Sequence, residues 1–170
     1  MPFCRRKCLY CDFYSQTDLS LTDSYVKAVV RNIRAANITA DTVYFGGGTP
    51  SLLSGAQIYD ILSAADISAD AEISAECNPD SATLPLMRDF RAAGINRLSI
   101  GIQSFNDDEL KMMGRLHSSH QAAEAIQNAQ KAGFENISAD LMLGLPYQTE
   151  ETVRDNIRKL AELNVTHISA

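Results

Sequence analysis

Short runs of β-branched and apolar residues alternate with longer stretches carrying apolar residues at helical spacing, from Leu21 almost to Ala170. The connections between them are short. Alternation of this kind restricts the chain to βαβ units and a parallel sheet, and so to an α/β fold. A helix is expected over Leu21 to Asn37, with Thr22 as its cap and Val26, Val29, Val30 and Ile33 as its apolar stripe. Further helices are expected over Ala56 to Ala65, Leu84 to Ala93 (stopped by Gly94), Asp107 to Met113 and Ser119 to Ala132 (stopped by Gly133). A last helix is expected from a cap at Thr149 to Leu163, with Glu150 and Glu151 favourably placed for its dipole. Between them, strands are expected at Thr42 to Phe45, Glu72 to Glu76, Arg97 to Ile102, Asn136 to Leu143 and Val165 to Ser169.

Periodicity does not separate a doubly wound sheet from a barrel, but the polar residues do better. Gly46 to Thr49, Glu76, Gln103 and Asp140 fall at or near the carboxyl ends of four successive strands. In a (β/α) barrel those ends converge on one mouth, whereas an open sheet gathers its ligand groups at a single switch point. A barrel or partial barrel is therefore expected. Such a barrel needs a strand before residue 4, where only Met1-Pro2-Phe3 stand, and the chain stops inside a strand at Ala170. The expectation is one partial domain over residues 1–170, cut at both ends.

Cys4, Cys8 and Cys11 stand at C-x3-C-x2-C spacing, with Arg5, Arg6 and Lys7 between the first two. Neighbouring positive charge favours thiolate over thiol. Four cysteines are usual for a cubane of four irons and four sulfides; three would leave one iron open to a small molecule. Structural zinc takes four protein ligands, and the nearest further cysteine, Cys77, is far along the chain. Zinc and inert core cysteines both stay open on spacing alone.

Hydrophobic content of 45%, charged content of 21% and a net charge of −6 fit an ordinary globular domain. The acidic balance offers no basic face to nucleic acid or an anionic membrane. No apolar run approaches the roughly 20 residues of a membrane span, and a weak membrane association of a longer protein has no signature in these residues. Four cysteines without disulfide-scaffold density fit a reducing, cytoplasmic compartment.

Gly46-Gly47-Gly48-Thr49 could bring backbone amides close to a ligand, or be a structural turn. It is neither a P-loop nor a dinucleotide fingerprint. Glu76 could accept hydrogen bonds from a ribose or an ammonium group, or cap the turn at Asn78-Pro79. Asp140 lies among Ile137, Ala139, Leu141 and Leu143, where an unpaired carboxylate is costly. Arg115 and His117 could reach an anion or lie in solvent. Phe13 and Tyr14 could shield a metal centre. Cys77 reads as a small buried residue, and His120 and His167 stand at background.

Six stretches in order carry a family resemblance: Pro2-Phe3-Cys4 through Cys11-Asp12-Phe13, Gly46 to Ser51, Glu76 to Pro79, Gly101 to Phe105, Gly114 to Ser118, and Asp140 through Pro146. Together they resemble the radical SAM superfamily. Within it they look like the branch of oxygen-independent coproporphyrinogen III oxidase and the HemW-type heme chaperones. The resemblance implies a partial radical SAM barrel in which Cys4, Cys8 and Cys11 bind a [4Fe–4S] cluster whose open iron takes S-adenosylmethionine (SAM). It implies that Gly47 and Glu76 touch this SAM. Tyr10, Gly48, Thr49, Gln103, Arg115 and Asp140 match positions lining a second SAM or substrate pocket in the oxidase.

The oxidase has a further cysteine two residues after its third cluster ligand, where this chain has Phe13. The Gly-Arg-x-His-Ser run at 114–118 also looks like HemW. The resemblance therefore implies a heme chaperone, binding heme in the full-length parent and delivering it to a haem-requiring acceptor protein. The alternative is oxidative decarboxylation of coproporphyrinogen III by a 5′-deoxyadenosyl radical. A third reading, a zinc-stabilised interaction module, requires the polar strand ends to be accidental.

Overall fold

Along each central strand apolar and polar side chains alternate, and that period of two gives the sheet one buried and one polar face. Strands β1 (Thr39–Phe45), β2 (Asp66–Cys77), β3 (Arg97–Gln103), β4 (Asn136–Leu141) and β5 (His167–Ser169) form one sheet in the computed structural model, which describes Met1–Ala170. They pair in chain order, and every pair is parallel. Phe45, Ala75, Cys77, Leu98, Ile100, Ile102, Ile137, Ala139 and Leu141 lie on one side and are buried. Tyr44, Ser74, Glu76, Ser99, Gly101, Ser138 and Asp140 alternate with them on the other.

Helices α1 (Thr22–Ala36), α2 (Gly55–Leu62), α3 (Leu84–Ala93), α4 (Asp107–Met112), α5 (Ser119–Lys131) and α6 (Glu150–Glu162) connect the strands. Right-handed crossovers between strands that never reverse order put every crossover helix on the same face. Accordingly α1 packs on α2, α2 on α3 and α3 on α5. Ile58, Met87, Phe90 and Ile126 seal the layer between helices and sheet. A doubly wound sheet would reverse its order at a switch point; this one does not. The result is a partial (β/α) barrel. No helix is long and apolar enough to cross a membrane.

Helix starts follow local chemistry. Ser54, Ser118 and Thr149 each accept from the backbone three residues on, with the return bond completing a capping box. Gly94, at φ 115°, closes α3. Several expected boundaries move. Thr22 does not cap α1: it is the first helical residue, its hydroxyl donates to Leu19 O, and Asp18 caps the preceding 3-10 turn. The helix expected to Ala65 ends at Leu62, and β2 begins at Asp66, because Asp66 and Ile67 pair with Thr39 and Ala40 before the register breaks. At the other end β4 stops at Leu141, earlier than the apolar Leu143 suggests, and β5 starts at His167, later than the apolar Val165 suggests.

Asn96, just before β3, extends the β2–β3 pairing with its side chain. Its Oδ1 accepts from Ile73 N and its Nδ2 donates to Ala71 O, both at 2.8 Å. Removing it strands two backbone groups. Asn96→Ala is expected to lower unfolding free energy by about 1–3 kcal/mol, read as a lower urea midpoint with an unchanged slope.

Candidate functional site

Residues 1–16 reach the carboxyl edge of the sheet through backbone bonds rather than regular structure. Cys4 N donates to Gln16 O at 3.0 Å, and Gln16 N donates to Pro2 O at 2.9 Å. Phe3 is buried and sets its ring edge-on to Tyr25, 5.5 Å between centroids. The glycine turn after β1 holds this segment: Gly48 N donates to Met1 O, and Thr49 N donates to Phe3 O at 2.7 Å. A Cβ on Gly48 would lie 2.5 Å from Phe3 O. The missing side chain at Gly48 therefore makes room for the cysteine segment. Leu9 N donates to Met113 O at 3.1 Å, which docks the far side of the loop on the end of α4.

Cys4, Cys8 and Cys11 are free, partly exposed thiols on the wall of one open cavity of about 200 Å³. Thr49 Oγ1 donates to Cys4 Sγ at 3.5 Å. The Arg115 guanidinium reaches Cys8 Sγ at 3.7 Å, Tyr10 Oη at 3.4 Å, Asn78 Oδ1 at 3.0 Å and Gly101 O at 2.6 Å. A Cβ on Gly101 would meet Gln103 Nε2 at 2.9 Å and Arg115 Nη2 at 3.3 Å, so these side-chain ends would have to shift to admit one. Nowhere do three His, Cys, Asp or Glu side chains converge as ligands of a single ion. A cubane makes no such demand, because it places each thiolate on a different iron.

Two acidic groups line the same cavity. Glu76 accepts from Tyr44 Oη at 2.7 Å and from Gly47 N at 3.1 Å. Asp140 accepts from Ser99 Oγ at 2.9 and 3.1 Å. Burial raises the Asp140 carboxyl above its ordinary range, partly opposed by the Ser99 bond. Burial and the bond to Glu76 push the Tyr44 phenol up to about 12. The cavity thus carries both basic and acidic side chains on its wall.

The three cluster cysteines and the ligand positions implied by the family resemblance lie on this one cavity: Cys4, Cys8, Tyr10, Cys11, Gly47, Gly48, Thr49, Glu76, Gln103, Arg115 and Asp140. Gln103 is held at φ 66° at the end of β3, where its carbonyl accepts from Met142 N. Phe13 stands at the cavity edge, whereas Tyr14 is 90% exposed and takes no part in the lining. His117 does not reach the cavity; it is buried with Nε2 3.0 Å from Ile102 O. Cys77 Sγ is buried, and burial pushes its thiol up to about 12. Sequence reasoning passed over Asn78, Ser99 and Gly101. For Ser99 and Gly101 the signal was the period-two row of small or polar residues, Ser99-Gly101-Gln103 beside Ser138-Asp140.

Two outcomes follow for the metal-free, reduced chain. Brief iodoacetamide treatment in the native state should label Cys4, Cys8 and Cys11 and spare Cys77, read by peptide mass mapping; labelling of Cys77 at an equal rate would contradict its burial. His117 is lowered from 6.5 to about 4, by burial first and the Arg115 charge second. Between those values the unfolded chain binds the proton and the folded chain does not. The stability present above pH 6.5 is therefore lost as pH falls towards about 4, on the order of 3 kcal/mol. His117→Gln should flatten that part of the pH–stability curve.

The Radical SAM superfamily profile matches residues 1–160. The chain is 37% identical to the heme chaperone HemW of Escherichia coli over 99% of its own length and 48% of that protein's. It is 35% identical to HemW of Lactococcus lactis, over 99% and 46% of the two lengths. The chain therefore spans about half the length of the curated relatives it matches. Among solved structures, coproporphyrinogen III oxidase (HemN) from Escherichia coli superposes over the whole chain and 43% of its own, with a TM-score of 0.87 and 29% identity. Methylornithine synthase (PylB) shares the fold alone, at a TM-score of 0.67 and 12% identity. With three cysteines on a cavity at the carboxyl edge of a partial barrel, and the match running almost end to end, the chain belongs to the radical SAM superfamily.

Proposed function

We propose that this chain is the cluster- and SAM-holding part of a HemW-like heme chaperone. The observation that carries the reading is the gathering of three free, half-buried thiols onto one cavity with Gly47, Glu76, Gln103 and Asp140. Cys4, Cys8 and Cys11 would hold a [4Fe–4S] cluster, leaving one iron without a protein thiolate. When bound, the cluster supplies an open coordination site for SAM and an electron for its reductive cleavage.

The protein's own part is positioning and charge. Glu76, fixed by Tyr44 and Gly47, presents a carboxylate with unused lone pairs to an ammonium group. Asp140, steadied by Ser99, is placed to accept from hydroxyl groups of a ligand in the same cavity. Tyr10, Gly48, Thr49, Gln103 and Arg115 would line the remainder. The presence of both basic and acidic side chains on the cavity suits SAM, which carries both charge signs.

Heme delivery rests on the HemW relatives and on Phe13, which stands where the oxidase has its additional cysteine. The likeness to coproporphyrinogen III oxidase supplies the competing reading. Anaerobic reconstitution should load about four irons and four sulfides per chain. Cys8→Ala should abolish loading and Cys77→Ala should leave it intact. Stoichiometric zinc without iron–sulfur absorbance would refute the cluster. The full-length parent should bind heme and, with cluster, SAM and reductant supplied, form no decarboxylated product from coproporphyrinogen III. A vinyl-bearing product would establish the oxidase reading instead.

A further inference from the structure

We propose that Arg115 is the counter-cation of the cysteine centre and tunes how readily a cluster on Cys4, Cys8 and Cys11 accepts an electron. The inference deepens the cluster reading above and rests on it. Arg115 Nη1 lies 3.7 Å from Cys8 Sγ, while Nη2 is anchored at 2.6 Å on Gly101 O and 3.0 Å on Asn78 Oδ1. These anchors are neutral. No carboxylate lies within ion-pair distance of Arg115; the arginine ion pairs of the chain are Arg5–Asp80, Arg97–Glu72, Arg154–Glu150 and Arg158–Asp155. Its Nε is buried with no hydrogen-bond partner.

A guanidinium cannot shed its proton, so burial cannot neutralise it. A partly buried cation without an anion is unfavourable until one arrives. Three thiolates on a cubane provide that anion. Arg6 and Lys7 also border the cavity but are exposed and screened by solvent, and Arg5 already faces Asp80. Arg115, partly buried and fixed 3.7 Å from Cys8 Sγ, is the least screened of the cations beside the thiols.

The electron step is simple in balance. An external one-electron donor (dithionite in the assay) is oxidised, the cluster passes from the 2+ to the 1+ state, and no bond forms or breaks. With three thiolates the centre goes from one net negative charge to two. A fixed positive charge stabilises the second state more than the first, so Arg115 favours reduction. Were Arg115 only a strut joining Tyr10, Asn78 and Gly101, its charge would not matter to this equilibrium.

The test is a redox titration of the anaerobically reconstituted protein, followed by electron paramagnetic resonance of the reduced cluster, with iron content measured in parallel. Arg115→Gln should lower the ratio of reduced to oxidised cluster at a fixed potential by about tenfold or more. Arg115→Lys, which keeps the charge and loses the planar bracket, should stay near the wild-type curve. Asn78→Asp sets a carboxylate against Nη2 and should shift the curve in the same direction as Arg115→Gln. A wild-type curve for Arg115→Gln overturns the proposal; if that variant fails to retain iron, a wild-type curve for Asn78→Asp overturns it. Failure of the wild-type chain itself to load iron removes the cluster reading, and the proposal with it.

Discussion

Parallel pairing in unbroken chain order is the constraint from which the rest of this structure follows. Because β1 to β5 all run the same way, each strand delivers its last residues to the same edge of the sheet. Because the order never reverses, the helices cover one face only and the other face is left to the alternate residues. In a closed barrel that inner face is usually packed with bulky branched side chains. Here it carries Ser74, Ser99, Gly101 and Ser138, which fill little volume. Space for a ligand at the carboxyl edge is a consequence of those small residues.

The cysteine segment depends on that edge for its shape. Apart from one isolated bridge between Phe3 and Gln16 it makes no ladder of its own. Its position comes from the turn after β1 on one side and the end of α4 on the other. Both contacts use backbone groups, so they fix the path of the chain while leaving the thiols free to turn towards the cavity. Phe3, buried against Tyr25 of α1, supplies the apolar anchor that a loop rich in charge lacks.

Polarity on the sheet's open face is satisfied in pairs. Asp140 bonds Ser99 on the neighbouring strand, and Glu76 bonds Tyr44 across β1 and β2. Cross-strand partners of this sort let carboxylates stand beside a cavity without the full penalty of burial. Arg115 likewise has neutral partners only. His117, two residues on, has turned inward to Ile102 and is kept neutral.

The amino-acid sequence alone determined the element order and the parallel sheet, because period and turn chemistry are local properties, whereas the family resemblance picked out most of the residues that meet at the cavity and left out Asn78, Ser99 and Gly101. It marked Cys4, Cys8 and Cys11 as one group and Gly94 and Thr149 as helix limits. It could not set the start of β2 or the end of β4, since pairing with a distant strand decides whether Asp66 extends or Leu143 stops. The side on which a residue falls was equally hidden. Arg115 and His117 look alike in sequence, two polar residues after a short helix, yet one enters the cavity and the other the interior. Asp140 looked stranded among apolar neighbours until β3 brought Ser99 to it. Those outcomes belong to the tertiary structure, because they turn on contacts between residues far apart in the chain whose geometry no local pattern encodes.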